Sequence, residues 1–441
     1  MLSHSMQHTI KTGLALSLTM IAAHWLGWQK TSWAMLTVIV MSVTQVYGYS
    51  ALKSQNRIIA TLLGAGVAFT LLCLFPQDRT YFFISILLYT GFCIHMGFDK
   101  RRGYIYSLSL CIALIISSSG FTDGATGFAT AIIRLQETLL GLVIFSLVFR
   151  LLWPNTTASE FKRVSSETVK TLRDELADTD NKKREAILKK LNSNIALLHD
   201  LVSLPESRKT EIFRYENELT SLVNALQYLV SGYAEGKLTE KDIEYYIDII
   251  DESIQDPSQY NPSNFEGIPY VLQNKPTNGT IKDHLKPLAI GLSMTLTILA
   301  LWVYLPVPGG ALFPILGIVV ATNMCMFPAK LATPILFAFM TFTVSILIQY
   351  VWLFPLFTES WQLAIVFFLN IIFWHSVLDF VNLGAIKILM GNALVNIPAS
   401  ATELTPTYSI VGPVTMVMNI FVILAIFRFF ALLYENLGES T

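Results

Sequence analysis

Arg134 and Glu137 stand three residues apart in AIIRLQETLLGL, a run otherwise apolar enough to cross a bilayer. Positions three apart share one face of a helix, and Gly141 follows one turn further along it. A charge at the centre of a span costs about 2.5–3.5 kcal/mol on insertion scales, so each one asks for a reason. Two reasons are open here. Either the guanidinium faces a translocation path and attracts a carboxylate substrate, with Glu137 orienting it or taking a proton, or the two form a self-satisfied ion pair beside a glycine that lets helices pack closely.

His95 and Asp99, and again His375 and Asp379, are four apart, the other helical-neighbour spacing. Histidine titrates near neutral pH and a nearby carboxylate raises its pKa, so such pairs suit coupling of proton movement to transport. They equally suit a helix terminus at the membrane interface. Lys387, flanked by Gly384, Gly391 and Asn392, fits either a broken helix that binds a ligand or a short span whose lysine snorkels to the interface. Gln45, Asn323, Gln349, Asn370 and Asn419 read as hydrogen-bond partners between helices, and Trp25, Trp28, Trp33, Trp352 and Trp361 as an aromatic belt.

These residues need a membrane scaffold, and the composition supplies one. Of 441 residues 53% are hydrophobic and only 14% charged, whereas soluble domains carry about a quarter. Apolar runs of bilayer length occur at roughly 9–27, 32–49, 57–75, 81–98, 103–120 and 131–153, and again at 287–305, 311–327, 331–350, 361–380, 381–397 and 410–433. The first is read as a retained span rather than a signal peptide, because no small-residue cleavage site closes it. Between the two sets, residues 155–284 are charged, and Leu188, Leu191, Ile195, Leu198 and Val202 recur at helical spacing. The expected organisation is a first six-span domain (1–154), a cytoplasmic helical domain with its linker (155–284) and a second six-span domain (285–441).

The two sets look like copies. Leu74-Phe75-Pro76 recurs as Leu353-Phe354-Pro355, the His95/Asp99 spacing recurs as His375/Asp379, and Phe149-Arg150 as Phe427-Arg428, at offsets of 279, 280 and 278. An even number of spans per copy keeps both in one orientation, which makes this a parallel repeat. Basic residues gather in alternate loops: Lys53 and Arg57, then Lys100, Arg101 and Arg102, then Arg150, Lys162 and Arg163. The opposite loops carry only Lys30 and Arg79. The positive-inside bias therefore puts the Lys53 segment, a polar hinge with a basic rim, in the cytoplasm with both termini.

The pattern W-x-x-L-T at Trp33–Thr37, Gly48, K-x-x-x-R at Lys53–Arg57, T-x-x-G-A at Thr61–Ala65 and R-x-x-E-T-x-x-G at Arg134–Gly141, leading to Trp153-Pro154, resembles the fusaric acid resistance and aromatic acid exporter family. The first half carries the pattern; the second has Pro308-Gly309-Gly310 in place of the tryptophan and lacks the Arg/Glu pair. The resemblance implies two blocks of about six spans around a cytoplasmic helical region. It also implies an inner-membrane exporter of aromatic or other organic acids, often paired with a periplasmic adaptor. Plant anion channels for malate are distantly similar to one such block.

The sequence-based expectation is an all-α polytopic membrane protein with two parallel six-helix repeats, about twelve spans, around a cytoplasmic helical domain. Its function is proton-driven export of organic anions; the alternatives are a gated anion channel and a non-transporting scaffold. Expected partners are the anion, the lipid bilayer, a periplasmic adaptor and further copies of the chain, with no nucleic acid. No nucleotide-binding loop, metal-ligand spacing or catalytic triad is recognisable, so neither an enzyme activity nor a cofactor or metal is expected; Cys73, Cys93, Cys111 and Cys325 stand singly in apolar runs.

Overall fold

The computed structural model describes residues 3–43, 47–76, 78–99, 101–121, 123–177, 181–202, 216–235, 240–255, 281–327, 332–381 and 383–439. These form sixteen α-helices and no strand. They are α1 (His4–Trp25), α2 (Ser32–Met41), α3 (Tyr47–Leu74), α4 (Arg79–Met96), α5 (Gly103–Gly120), α6 (Gly124–Leu151), α7 (Thr157–Ala177), α8 (Asn181–Val202), α9 (Glu216–Glu235), α10 (Glu240–Gln255), α11 (Ile281–Tyr304), α12 (Leu312–Met324), α13 (Ala332–Trp352), α14 (Ser360–Phe380), α15 (Lys387–Asn396) and α16 (Val411–Glu439). Contacts divide the chain into two compact units, Met1–Val43 with Lys53–Trp153 and Thr277–Thr441, and Thr44–Leu52 with Pro154–Pro276.

Each of the twelve apolar runs holds one helix of the first unit. Among the described residues, seven helices are long and apolar enough to cross a membrane: α3, α5, α6, α11, α13, α14 and α16. Helices α2 and α15 have ten residues each and α12 thirteen. At 1.5 Å per residue, ten residues rise about 15 Å, half the hydrocarbon thickness. Helix α1 is long enough but polar. Its Thr9, Lys11, Thr12, Ser17 and Thr19 are buried, so protein rather than lipid satisfies them.

Helix α1 packs along α14, and α11 along α4. Small residues permit the approach: Ser17 Oγ donates to the Ala364 carbonyl at 2.7 Å, and a Cβ on Gly13 would lie 2.8 Å from Phe368. Helix α2 packs on α6 and α15, and α12 on α5, α11 and α16. At the α2/α6 crossing a Cβ on Gly141 would lie 2.6 Å from the Ala34 carbonyl oxygen and 2.7 Å from Thr37 Cβ. A side chain there has no room.

The expected hinge at 47–57 is not one: α3 is continuous from Tyr47 through Arg57 to Leu74. Its polar residues stay helical because they find partners. Lys53 Nζ donates to the Val40 carbonyl at 2.8 Å, and Asn56 Nδ2 to the Arg101 carbonyl at 2.7 Å.

In the second unit, α7 packs on α8, α8 on α9, α9 on α10 and α10 back on α7, which closes a four-helix bundle. Leu172, Leu191, Leu198, Leu226, Leu229 and Ile247 fill its core. On its surface Glu167 pairs with Lys190 at 2.9 Å and with Arg163 at 3.0 Å. These cations, Lys190 first, hold the Glu167 carboxyl below the usual range, while the bonds that Arg163 donates to Glu160 raise its guanidinium.

Candidate functional site

Helix α6 starts at a defined residue. Asp123 caps it, accepting from the amides of Ala125 and Thr126, and those bonds and the Thr126 hydroxyl hold its carboxyl below the ordinary value. Eleven residues beyond Asp123, Arg134 Nη1 donates to Glu137 Oε2 at 2.7 Å; the Glu137 side chain is 1% exposed and that of Arg134 17%. The pair anticipated from spacing is formed, and it is not self-satisfied. Arg134 Nε and Glu137 Oε1 are buried without a hydrogen-bond partner.

Helix α3 adds a second guanidinium. Arg57 is 2% exposed, donates from Nη1 to the Tyr104 hydroxyl at 2.6 Å, and leaves its own Nε buried and unpaired. It was expected on a cytoplasmic basic rim; burial inside the helix packing corrects that. No carboxylate pairs with it among the described residues. Trp33 joins the two cations: the Arg134 guanidinium lies 5.1 Å and that of Arg57 5.7 Å from its ring, within cation–π range. Its indole N–H donates to Thr138 at 3.3 Å, one helical position beyond Glu137. Trp33 is thus part of the site rather than of an aromatic belt. Lys53 lies 5.4 Å over the Tyr104 ring.

The cluster therefore holds one buried and one half-buried guanidinium against one buried carboxylate. An isolated buried charge is costly unless paired. Two guanidiniums with unpaired N–H donors beside one carboxylate have the chemistry to hold an anion, since the guanidinium fork matches a carboxylate.

The second group of expected residues meets at the α1/α14 crossing. Asp379 accepts from Lys387 Nζ at 2.6 Å and from the Ser5 hydroxyl, and His375 Nδ1 lies 3.5 Å from the Thr9 hydroxyl. Lys387 is therefore paired at the first residue of α15 rather than snorkelling. His375 and Asp379 do not bond each other. His95 and Asp99 are separated further: α4 ends at Met96, and Asp99 accepts from the amides of Arg101 and Arg102 at 2.8 and 3.0 Å, which caps the turn. The partner of His95 is His284 of α11, with Nδ1 atoms 3.3 Å apart and the His284 ring stacked 3.8 Å from Phe98. Arg101 and Arg102 are exposed. Lys100 of the basic rim and Gln45 lie outside the described residues.

Of the amide side chains, Gln349, Asn370 and Asn323 bond between helices, while Asn419 bonds a loop carbonyl. Gln349 and Asn370 exchange bonds at 3.0 and 2.7 Å, Ser107 donates to Asn323 at 2.8 Å, and Asn419 donates to the Pro308 carbonyl at 3.1 Å. No group of three metal-ligating side chains occurs among the described residues.

A helical chain with seven helices of membrane-crossing character and a buried cation-rich cluster is a polytopic membrane protein. More narrowly, it belongs to the fusaric acid resistance protein family, which it matches over residues 5–231, the part that contains Trp33, Arg57, Arg134 and Glu137. It is also similar to two proteins called uncharacterized transporter YdhK, from Escherichia coli strain K12 and Escherichia coli O157:H7. Each is 25% identical over 157 residues, 35% of this chain and 23% of the relative. The matched stretch thus spans less than a quarter of those relatives' own length. No solved structure matches the chain.

Proposed function

We propose that the protein is a secondary transporter that exports organic anions, aromatic carboxylates in particular, across a bacterial inner membrane. The observation that carries this reading is the Arg57–Trp33–Arg134 cluster: two guanidiniums with unpaired N–H groups, one buried counter-carboxylate and an aromatic plane between them. Arg134 and Arg57 bind the carboxylate, Trp33 offers its face to the ring, and Glu137 holds Arg134 until an anion competes for it. Family membership and the transporter named among the relatives support the same reading.

The architecture that goes with it is twelve membrane helices in two parallel sets of six, with both termini and residues 155–284 in the cytoplasm. Supporting the repeat, part of the packing scheme recurs when α1–α6 are exchanged with α11–α16: α1 lies on α14 as α11 lies on α4, α2 on α15 as α12 on α5, and α1, α2 and α6 group as α11, α12 and α16 do, whereas α5 packs on α6 with no matching α15/α16 packing among the described residues. Proton coupling falls to the α1/α14 cluster of His375, Asp379 and Lys387. A periplasmic adaptor and self-association complete the proposal as partners.

One observation favours a passive anion channel as the second reading. The anion site holds a net positive charge, and an inside-negative potential already drives an anion outward by about 2.3 kcal/mol per 100 mV, without a coupling ion. The test is accumulation of labelled 4-hydroxybenzoate in cells expressing wild type or Arg134→Ala, with and without a protonophore at clamped membrane potential. Lower accumulation in wild type, lost with the substitution and with the protonophore, supports proton-driven export. Loss with the substitution alone selects the channel, and no difference anywhere removes both.

A further inference from the structure

Away from the Trp33 cluster, a cavity of about 490 Å³ opens among Pro76, Arg79, Phe82, Phe83, Phe121 and Trp302. It sits where α3 and α5 end, α4 begins and α11 ends, at the far end of α3 and α4 from Lys53 and Arg101. Its walls are rings set against one another: Phe82 and Phe121 meet edge to face at 4.5 Å, and Phe83 and Trp302 at 6.1 Å. Phe82 is 3% exposed and Phe121 48%, so the cavity has a buried wall on one side and opens outward on the other.

Arg79 is the one charged residue of the lining. Its guanidinium lies 5.4 Å over the Phe83 ring and makes no ion pair among the described residues. Helix stability does not explain it, since it occupies the first residue of α4, where the helix dipole disfavours a cation. Topology does not either, because it stands in one of the loops otherwise poor in basic residues. What remains is the cavity. Its volume falls within the range of about 300–1,000 Å³ typical of small-molecule sites, with apolar walls and a single polar anchor.

We propose that this cavity is a second binding site, for a planar aromatic carboxylate of one or two fused rings. Phe82, Phe83, Phe121 and Trp302 enclose the ring, and Arg79 takes the carboxylate with two parallel N–H donors. Its use as a station on an export route rests on the anion-transport reading above. Binding itself does not.

The experiment uses the full chain in nanodiscs of zwitterionic lipid, with 3-hydroxy-2-naphthoate, whose absorption overlaps tryptophan emission, as the probe. Bound probe quenches Trp302, and the quenching difference between wild type and Trp302→Phe isolates this site from the seven other tryptophans of the chain's eight. Arg79→Gln weakens that component by about tenfold or more, while 2-naphthalenemethanol, which lacks the charge, binds both alike. Replacing Arg134 and Glu137 together by methionine leaves the component intact, which separates this site from the buried one. An unchanged signal in Trp302→Phe, or equal acid affinity in Arg79→Gln and wild type, overturns the proposal. So does exclusion of the probe from nanodiscs rich in phosphatidylglycerol, which assigns the cavity to a lipid headgroup.

Discussion

Arg134 Nη1 and Glu137 Oε2 are 2.7 Å apart, yet each side chain keeps one buried polar atom unpaired. A pair that served only to neutralise itself would spend those atoms too. Removing one member strands the other: Arg134→Ala is expected to destabilise the protein by about 3–5 kcal/mol, whereas replacing both by methionine changes stability little. Anion transport is lost in both. Thermal midpoints in detergent beside flux measurements check this, and a fully active double variant would sink the assigned role.

Arg57 yields a contrasting result. Because no carboxylate pairs with it among the described residues, Arg57→Met relieves an uncompensated charge and leaves the thermal midpoint equal or higher. The ligand-induced rise follows RT ln(1 + [L]/Kd) and shrinks with affinity. Benzoate added to wild type raises the midpoint; added to Arg57→Met it has little effect. An undiminished rise in the variant would show that Arg57 does not touch the anion.

Asp379 and Lys387 form a cross-helix pair that a double-mutant cycle resolves. Asp379→Asn and Lys387→Met each lower stability, and the double variant loses less than their sum, with a coupling of about 0.5–3 kcal/mol. Additive losses, measured by denaturant unfolding, would mean that the 2.6 Å contact carries no energy.

Gly141 and Gly66 make a matched comparison. Gly141→Ala places a methyl into the Ala34 carbonyl and Thr37, for an overpacking cost of about 1–3 kcal/mol. Gly66→Ala meets nothing within 4 Å and stabilises through helix propensity by up to about 1 kcal/mol. Equal effects would contradict the α2/α6 packing described here.

The helical bundle supplies the pH dependence. Glu167 has its pKa lowered by Lys190, so its contribution is present above the unfolded carboxylate pKa of about 4.3 and fades as pH falls through the lower folded value. Lys190→Met should cost at most about 1 kcal/mol at pH 7, since both groups are largely exposed, and nothing once Glu167 is protonated. Thermal melts at the two pH extremes test it; a pH-independent loss would assign Lys190 a packing role instead.

Much of the scaffold was legible in the sequence because lipid demands long apolar runs, and each such run holds one helix. The failures have physical causes. The helix α2 stops at Met41 although apolar residues continue, and α3 persists through YGYSALKSQNR because Lys53, Asn56 and Arg57 bond to neighbouring elements that periodicity cannot see. Spacing alone found Arg134 with Glu137, since both lie on one helix. Arg57, Trp33 and Tyr104 come from three other helices, and only their packing brings them together. For the same reason His95 was matched with Asp99, its neighbour in sequence, when its partner is His284, 189 residues away.

The exchange of partners between the first helices and distant ones also sets an order of events during synthesis. Ser17 bonds to Ala364, 347 positions later, and the buried polar face of α1 is covered only when α14 exists. Until the ribosome has passed that point, Thr9 and Ser17 lack their final partners, His375 and Ala364. Helix α4 waits in the same way for α11. A nascent chain of this design stays incomplete until nearly its last helices emerge, so its exposure to membrane quality control is set by elongation time rather than by the speed of folding any one helix.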